Sequence, residues 1–245
     1  MTATMKLLGA KPAGGAEFNP ETDITWHSLF WAEGTDFQAE GYSDTNEITS
    51  WLNEAGEANG TVPIGAKPTY VAAESTLNNQ PAVRFTNAPT KWVRVTYNTP
   101  PSYAAGVSYV LVVSWSTIGQ YRGFLSSTSD KNLLYAGGAV KYSIYASGSV
   151  RSGSAWPSSG AALMVAYFDG STGSDKLWVN GALEVDANAG SGQATDMSFG
   201  ALMTNNYSID GAIPMCGVYE GNITAHGSFT DLETWAEDHY GLTIA

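Results

Sequence analysis

From Trp26 to the C-terminus the sequence consists of short apolar or alternating runs, each closed within a few residues by Gly, Ser, Asn, Asp or Pro. Such punctuation leaves no stretch for a layer of long helices and predicts a β-sandwich with many loops. Pro81-Ala82-Val83-Arg84-Phe85 and Trp92-Val93-Arg94-Val95-Thr96-Tyr97 alternate at period two, so each wets one face of a sheet. Tyr109-Val110-Leu111-Val112-Val113-Ser114-Trp115 is apolar on both sides and predicts a central strand covered on each face. Further strands are expected at 123–126, 131–135, 141–145, 162–168 and 213–219. Asn180-Gly181, between alternating flanks, supplies the two positive-φ residues of a type I′ turn and predicts a tight hairpin. Ser126 to Asp130 and Ser147 to Gly160 are small and polar, which predicts exposed loop tips.

One helix is expected at about 228–240. Ser228 is placed to cap it, Asp231 follows three residues later, and Phe229, Leu232, Trp235, Ala236 and Tyr240 recur at helical spacing before Gly241. Residues 1–25 hold Lys11-Pro12-Ala13-Gly14-Gly15 and the turn signal Asn19-Pro20. They read as an N-terminal arm for attachment or oligomer contact, and residues 26–245 as one domain, since a sandwich of this length folds as a single unit.

The 11 Lys and Arg against 23 Asp and Glu give a net charge of −12, which argues against a broad grip on nucleic acid. No apolar run approaches the roughly 18 residues of a membrane span, and residues 1–10 lack a secretory h-region, so neither a membrane partner nor secretion is expected. Cys216 stands alone in an apolar run, which excludes an intrachain disulfide and a thiolate cluster and suits a small core residue. His27, His226 and His239 are too dispersed for a zinc site, and His239 sits where a helix C-terminus favours a cation.

The ordered landmarks resemble concanavalin A-like, laminin-G-like jelly-roll domains of the kind found in bacterial surface proteins and in structural proteins of tailed bacteriophages. Phe18-Asn19-Pro20 leads to Ser28-Leu29-Phe30-Trp31-Ala32-Glu33-Gly34-Thr35-Asp36, then Ile48-Thr49-Ser50-Trp51-Leu52-Asn53-Glu54-Ala55-Gly56. Lys67-Pro68-Thr69-Tyr70-Val71, Asn79 to Phe85, the Asn180-Gly181 hairpin, Ser198-Phe199-Gly200, Asp210-Gly211-Ala212-Ile213 and a terminal helix after Tyr219 complete the order over residues 18–245. Trp31, Trp51 and Phe85 are expected in the core between the two sheets.

The resemblance implies an all-β jelly-roll sandwich of the concanavalin A-like lectin/glucanase type with an N-terminal arm and a short C-terminal helix. It further implies a non-enzymatic virion component, a minor tail protein or head decoration protein. Such a protein would pack against capsid or tail subunits, form a homo-oligomer and present a lectin-like surface to host glycans. A stand-alone carbohydrate-binding module and a polysaccharide hydrolase are the alternatives. Against the hydrolase, the Glu-x-Asp-x-x-Glu signature of the fold's best-known hydrolases is absent; Glu33 with Asp36, Glu54 with Glu57 and Glu237 with Asp238 have the spacing of turns or a solvated helix face. No cofactor is expected. Calcium-holding relatives make Asp169, Asp175, Asn205 and Asp210 the candidate metal ligands, in loops without a diagnostic spacing, where Asp and Asn also serve turns. Trp92, Tyr121, Trp156 and Tyr207 lie beside loops and are the candidate rings for stacking on sugars, or for packing in the core or on a neighbouring subunit.

Overall fold

The computed structural model of the protein describes residues 17–62, 67–86, 92–127, 133–171, 173–202 and 207–245. In chain order the first half holds α1 (Pro20–Asp23), β1 (Ser28–Trp31), α2 (Thr35–Ala39), β2 (Ser50–Trp51), β3 (Gly60–Thr61), β4 (Thr69–Glu74), β5 (Gln80–Phe85), β6 (Val93–Thr96) and β7 (Val107–Thr117). The second half holds β8 (Gly123–Ser126), β9 (Leu133–Ala136), β10 (Lys141–Tyr145), β11 (Arg151–Ala155), β12 (Gly160–Phe168), β13 (Asp175–Val179), β14 (Ala182–Ala187), β15 (Asp196–Phe199), β16 (Ala201–Leu202), β17 (Tyr207–Ser208), β18 (Asp210–Glu220) and α3 (Phe229–Tyr240).

Two antiparallel sheets face each other. The first runs β14-β13-β12-β7-β18-β5-β4, with β1 also on β18; the second runs β11-β10-β9-β8-β15-β6-β3-β2, and β16 with β17 forms a separate small hairpin. This is the expected all-β sandwich with short helical elements near its ends.

Strand β7 shows why the first sheet sits in the middle of three layers. Val107, Tyr109, Leu111, Val113 and Trp115 point into the core between the sheets, joined there by Val83, Phe85, Val93, Val95, Phe199 and Trp51. The alternate residues Val110 and Val112 point the other way, into a second core with Leu163, Val165 and the α3 side chains Leu232, Trp235, Ala236 and Tyr240. An apolar run without alternation is therefore the record of two covered faces. At the hairpin, Asn180 (φ 49°) and Gly181 (φ 79°) take the left-handed conformations expected of the type I′ turn between β13 and β14.

Several expectations need correction. Trp31 is half-buried and lies outside the inter-sheet core: alternation along β1 sends Phe30 inward and Trp31 toward α3, where it meets Trp235 at 5.9 Å and donates its indole N–H to the Tyr240 hydroxyl at 3.1 Å. Trp51 and Phe85 are in the expected core. Within 147–160, expected to be loop, Arg151–Ala155 pairs with β10 as an edge strand. Its Ser, Gly and Ala residues carry no apolar signal because backbone pairing and polar side-chain bonds hold it. Ser228 occupies the N-cap position but its hydroxyl makes no capping bond; its ψ of 11° departs from the extended conformation that aims a cap side chain at the first turn.

Of the expected arm, residues 1–16 fall outside the described residues, as do residues 128–132, which span the rest of one expected loop tip and the start of the strand expected at 131–135. Residues 17–25 lie against the sandwich: the Asn19 side chain caps α1 at 2.8 Å, Trp26 donates to the Pro20 carbonyl at 2.7 Å, and Phe18 packs 5.9 Å from Trp235. Cys216 is fully buried, and burial pushes its thiol pKa up, so it stays protonated.

Candidate functional site

The outer face of the first sheet is covered by α3, and the outer face of the second sheet is the other broad strand surface, exposed toward its two ends and buried in its middle, where the β16–β17 hairpin lies. Its side chains follow from alternation. Val93 and Val95 of β6, Met197 and Phe199 of β15, Leu134 of β9 and Tyr142 and Ile144 of β10 all turn into the core. Their neighbours therefore turn out, and the registers set them side by side. Thr61 stands opposite Arg94, Arg94 opposite Ser198, and Ser198 opposite Ser126; beyond a bulge in β8 the row resumes with Tyr135 opposite Ser143 and Ser143 opposite Ser152. One row of hydroxyls, a guanidinium and a phenol thus crosses seven strands.

Local bonds fix this row. Ser126 and Ser198 share a hydroxyl contact of 2.8 Å, and Ser126 donates to the Ala201 carbonyl at 2.9 Å. Ser143 and Ser152 are joined at 2.8 Å, and Arg94 reaches Asp196 at 3.3 Å. The β16–β17 hairpin lies over the β8 end, and Leu202 packs on Tyr135 with Tyr145 beside them. This is why Ser126 and Ser127, expected at an exposed tip, are buried. The hairpin fits because β8 begins with glycine: a β-carbon at Gly123 would lie 2.5 Å from the Leu202 amide nitrogen and 2.6 Å from its side chain. Gly123→Ala should push the hairpin off Tyr135 and cost about 1–3 kcal/mol, read as a lowered thermal midpoint.

Three of the four candidate stacking rings belong to segments on or beside this face. Tyr121 is 47% exposed, and its amide donates to the Ala136 carbonyl at 2.7 Å at the start of the β7–β8 connection's return into β8. The next residue, Arg122, donates to the Ser208 carbonyl at 3.3 Å, which ties this loop to the small hairpin. Tyr207 pairs with Leu202 in that hairpin, and its side chain is outside the described residues. Trp92 is half-buried immediately before β6, on the outward side of the alternation, with its indole nitrogen buried and lacking a partner. Trp156 is a correction: it is only 5% exposed, stacks on Phe124 at 4.8 Å, and has both faces committed to the core. Its loop-like flanks hid a ring that the sandwich needed as filler.

Two of the four candidate metal ligands, Asp169 and Asp175, serve the backbone. Asp175 is buried and accepts from the amides of Asp169 at 2.9 Å and Ala189 at 2.7 Å; burial pushes its carboxyl pKa up, against the pull of these bonds. Asp169 accepts from the Gly173 amide at 3.1 Å, closing its own turn. Asp210 starts β18, far along the sheet from this turn, and Asn205 lies outside the described residues. Among the described residues no group of three or more His, Cys, Asp or Glu is arranged to hold a metal ion.

A second concavity, of about 240 Å³, is lined by Glu21, Ile24, Trp26, Leu29, Glu54 and Ala55 among others. Its carboxylates are occupied: Glu54 accepts from the Asp36 and Phe37 amides at 2.8 and 2.9 Å, and Glu21 accepts from the Thr35 amide at 2.8 Å. Both satisfy the first turn of α2, whose N-cap is a glycine with no side chain for the task. Burial raises the Glu54 pKa. Glu33 is bonded to His239 at 2.8 Å, so the expected dipole contact of that histidine is joined by a carboxylate partner.

Charge distribution is what the sequence reading passed over. Six of the 11 Lys and Arg residues lie between Lys91 and Arg151, together with one of the 23 Asp and Glu residues. The signal is plain in the sequence, yet it acquires meaning only when the topology gathers β6 and β8–β11 into one sheet.

No family model and no curated protein matches the sequence. Solved structures match in fold. Domain 4 of AbnA, a GH43 extracellular arabinanase from Geobacillus stearothermophilus in complex with arabinotriose, superposes with a TM-score of 0.58 at 13% identity, over 89% of this chain and 99% of that one. The botulinum neurotoxin serotype D ligand binding domain in complex with N-acetylneuraminic acid gives 0.56 at 11% identity, over 87% and 51%. Trypanosoma rangeli sialidase with 2,3-difluorosialic acid as a covalent intermediate gives 0.53 at 7%, over 86% and 32%. The chain thus spans the whole arabinanase domain, about half of the toxin domain and about a third of the sialidase. At these identities the likeness is one of fold: a two-sheet antiparallel sandwich of the lectin/glucanase jelly-roll type.

Proposed function

We propose that the protein is a non-catalytic carbohydrate-binding module whose ligand lies across the outer face of the second sheet. The exposed ends of the row carry this reading: Thr61 and Arg94 at one end, and Ser152 with Lys141 at the other, present hydroxyl, guanidinium and ammonium groups that match the acceptors and donors of a sugar chain, while Ser198, Ser126, Tyr135 and Ser143 between them are buried. Tyr121, exposed beside the row, supplies a ring face for stacking. Solved relatives of the fold bound to arabinotriose and to N-acetylneuraminic acid support it by analogy. The absence of catalysis is supported by the carboxylates Glu21, Glu33 and Glu54 being spent on helix amides and a histidine.

A glycan array probed with the full chain tests the reading: selective retention of at least one glycan class is expected, and a blank array would sink it. Tyr121→Ala should lower affinity about tenfold, equivalent to roughly 1.4 kcal/mol, with an unchanged thermal midpoint, since an exposed ring contributes little to folding. The finer reading, in which residues 1–25 anchor this module in a tailed-phage virion and the sandwich faces outward, rests on the resemblance seen in the sequence.

A further inference from the structure

We propose that the glycan recognised by the outer face of the second sheet is acidic, a polysaccharide bearing carboxylate groups; this deepens the carbohydrate-binding reading and rests on it. The protein as a whole carries a charge of −12, which repels a polyanion. That charge is not evenly spread. Among the described residues from Trp92 to Arg151, the stretch that supplies β6 and β8–β11, Arg94, Arg122, Lys141 and Arg151 are basic and none is acidic, while β15 adds Asp196 beside Arg94. On the opposite side of the molecule, α3 turns Asp231, Glu237 and Asp238 to solvent. A neutral sugar chain gives no reason for such a division, whereas an acidic one is admitted by the second sheet and turned away elsewhere.

The cations on this face are placed to meet it. Arg94 stands within the hydroxyl row, with its side chain 41% exposed. It spends one N–H on Asp196 at a long 3.3 Å; its Nε has no partner but is buried away from solvent, so the donors left for a ligand are those of its amino groups. A guanidinium with donors in reserve takes a carboxylate through two parallel bonds, which an ammonium or a hydroxyl cannot imitate. Lys141 is exposed at the start of β10, on the same side of the strand as Ser143 and Tyr145. Arg122 lies at the junction of the Tyr121 loop and the small hairpin. Arg151 is not counted, because it stands opposite the core residue Ile144 and turns to the Asn188 carbonyl. Cations spread among hydroxyls suit an acidic glycan better than a nucleic acid, which needs a denser basic surface to release its counterions.

The test is binding of the full chain to polygalacturonate, alginate, hyaluronan and polysialic acid, each beside its neutral methyl-ester form, with duplex DNA as a further polyanion. The expected result is that at least one acidic polymer binds about tenfold or more tightly than its own ester, and that raising salt from about 50 to about 300 mM weakens it several-fold. Arg94→Gln and Lys141→Gln should each lower that affinity about fivefold. Lys141 is exposed, so its variant reports on binding even if the Arg94 variant folds poorly. Equal binding of acid and ester forms, or retention of neutral glycans alone, overturns the acidic preference and leaves the carbohydrate module standing. Equal capture of DNA overturns it as general adhesion to polyanions. Failure of every polysaccharide, acidic or neutral, removes the carbohydrate reading and this inference with it.

Discussion

Trp51→Ala should lower the unfolding free energy by about 4 kcal/mol and the thermal midpoint by about 10 °C, among the largest losses available to a single change in this chain. The indole is completely buried where the sheets meet, ringed by Phe30 at 6.2 Å, Phe37 at 5.8 Å and Phe199 at 5.3 Å. Three aromatic neighbours drawn from β1, α2 and β15 cannot all close on an alanine, so a cavity remains. Trp51→Phe should cost under about 1.5 kcal/mol, because the indole N–H has no hydrogen-bond partner and its removal leaves no group unsatisfied. Denaturant unfolding of both variants decides the matter; equal losses would mean that polarity rather than volume matters at this position.

For Asp175→Ala, a loss of about 3 kcal/mol is expected from a different cause. The carboxylate accepts backbone amides from Asp169 and Ala189, and a third from Gly190, so it is the knot between the turn before β13 and the segment after β14. Alanine would strand three donors at once. Asp175→Asn should fall between, since its amide keeps one acceptor oxygen but turns an N–H₂ group toward a donor. The pH dependence carries its own sign. Burial lifts the folded-state pKa above the ordinary value of 3.8, so the folded protein takes up this proton first as the solution is acidified. The cost of holding the charge buried is thus fully present above the folded pKa and is relieved as pH falls toward the ordinary value. Wild type should gain on Asp175→Asn over that interval in urea midpoints; a constant gap across pH would remove the account.

Much of the fold was legible because backbone conformation and burial leave marks on composition. The Asn180-Gly181 pair announced its turn through residues that favour its left-handed conformations, and the unbroken apolar run of β7 announced a strand with two covered faces. The spacing of Leu232, Trp235, Ala236 and Tyr240 announced α3. The misses share a cause. An edge strand such as Arg151–Ala155, or a hairpin of two-residue strands such as β16–β17, is paired through its backbone and is too short or too small in its side chains to carry a period. The candidate site was legible only in parts. Tyr121 was named from its loop-like setting and is exposed, whereas the same reasoning chose Trp156, whose neighbours Phe124 and Tyr142 come from strands that no local window connects to it. The hydroxyl row was invisible, because serines from β8, β10, β11 and β15 become neighbours only through register.

The alternation along β7 has a bearing on how the molecule comes apart. Because Tyr109, Leu111 and Val113 belong to one apolar layer and Val110 and Val112 to the other, a single strand is the shared wall of both. Lifting the C-terminal helix wets the back of the same backbone whose front seals the sandwich. The layers are therefore thermodynamically welded, and melting should proceed as one event rather than as a peeling of shells.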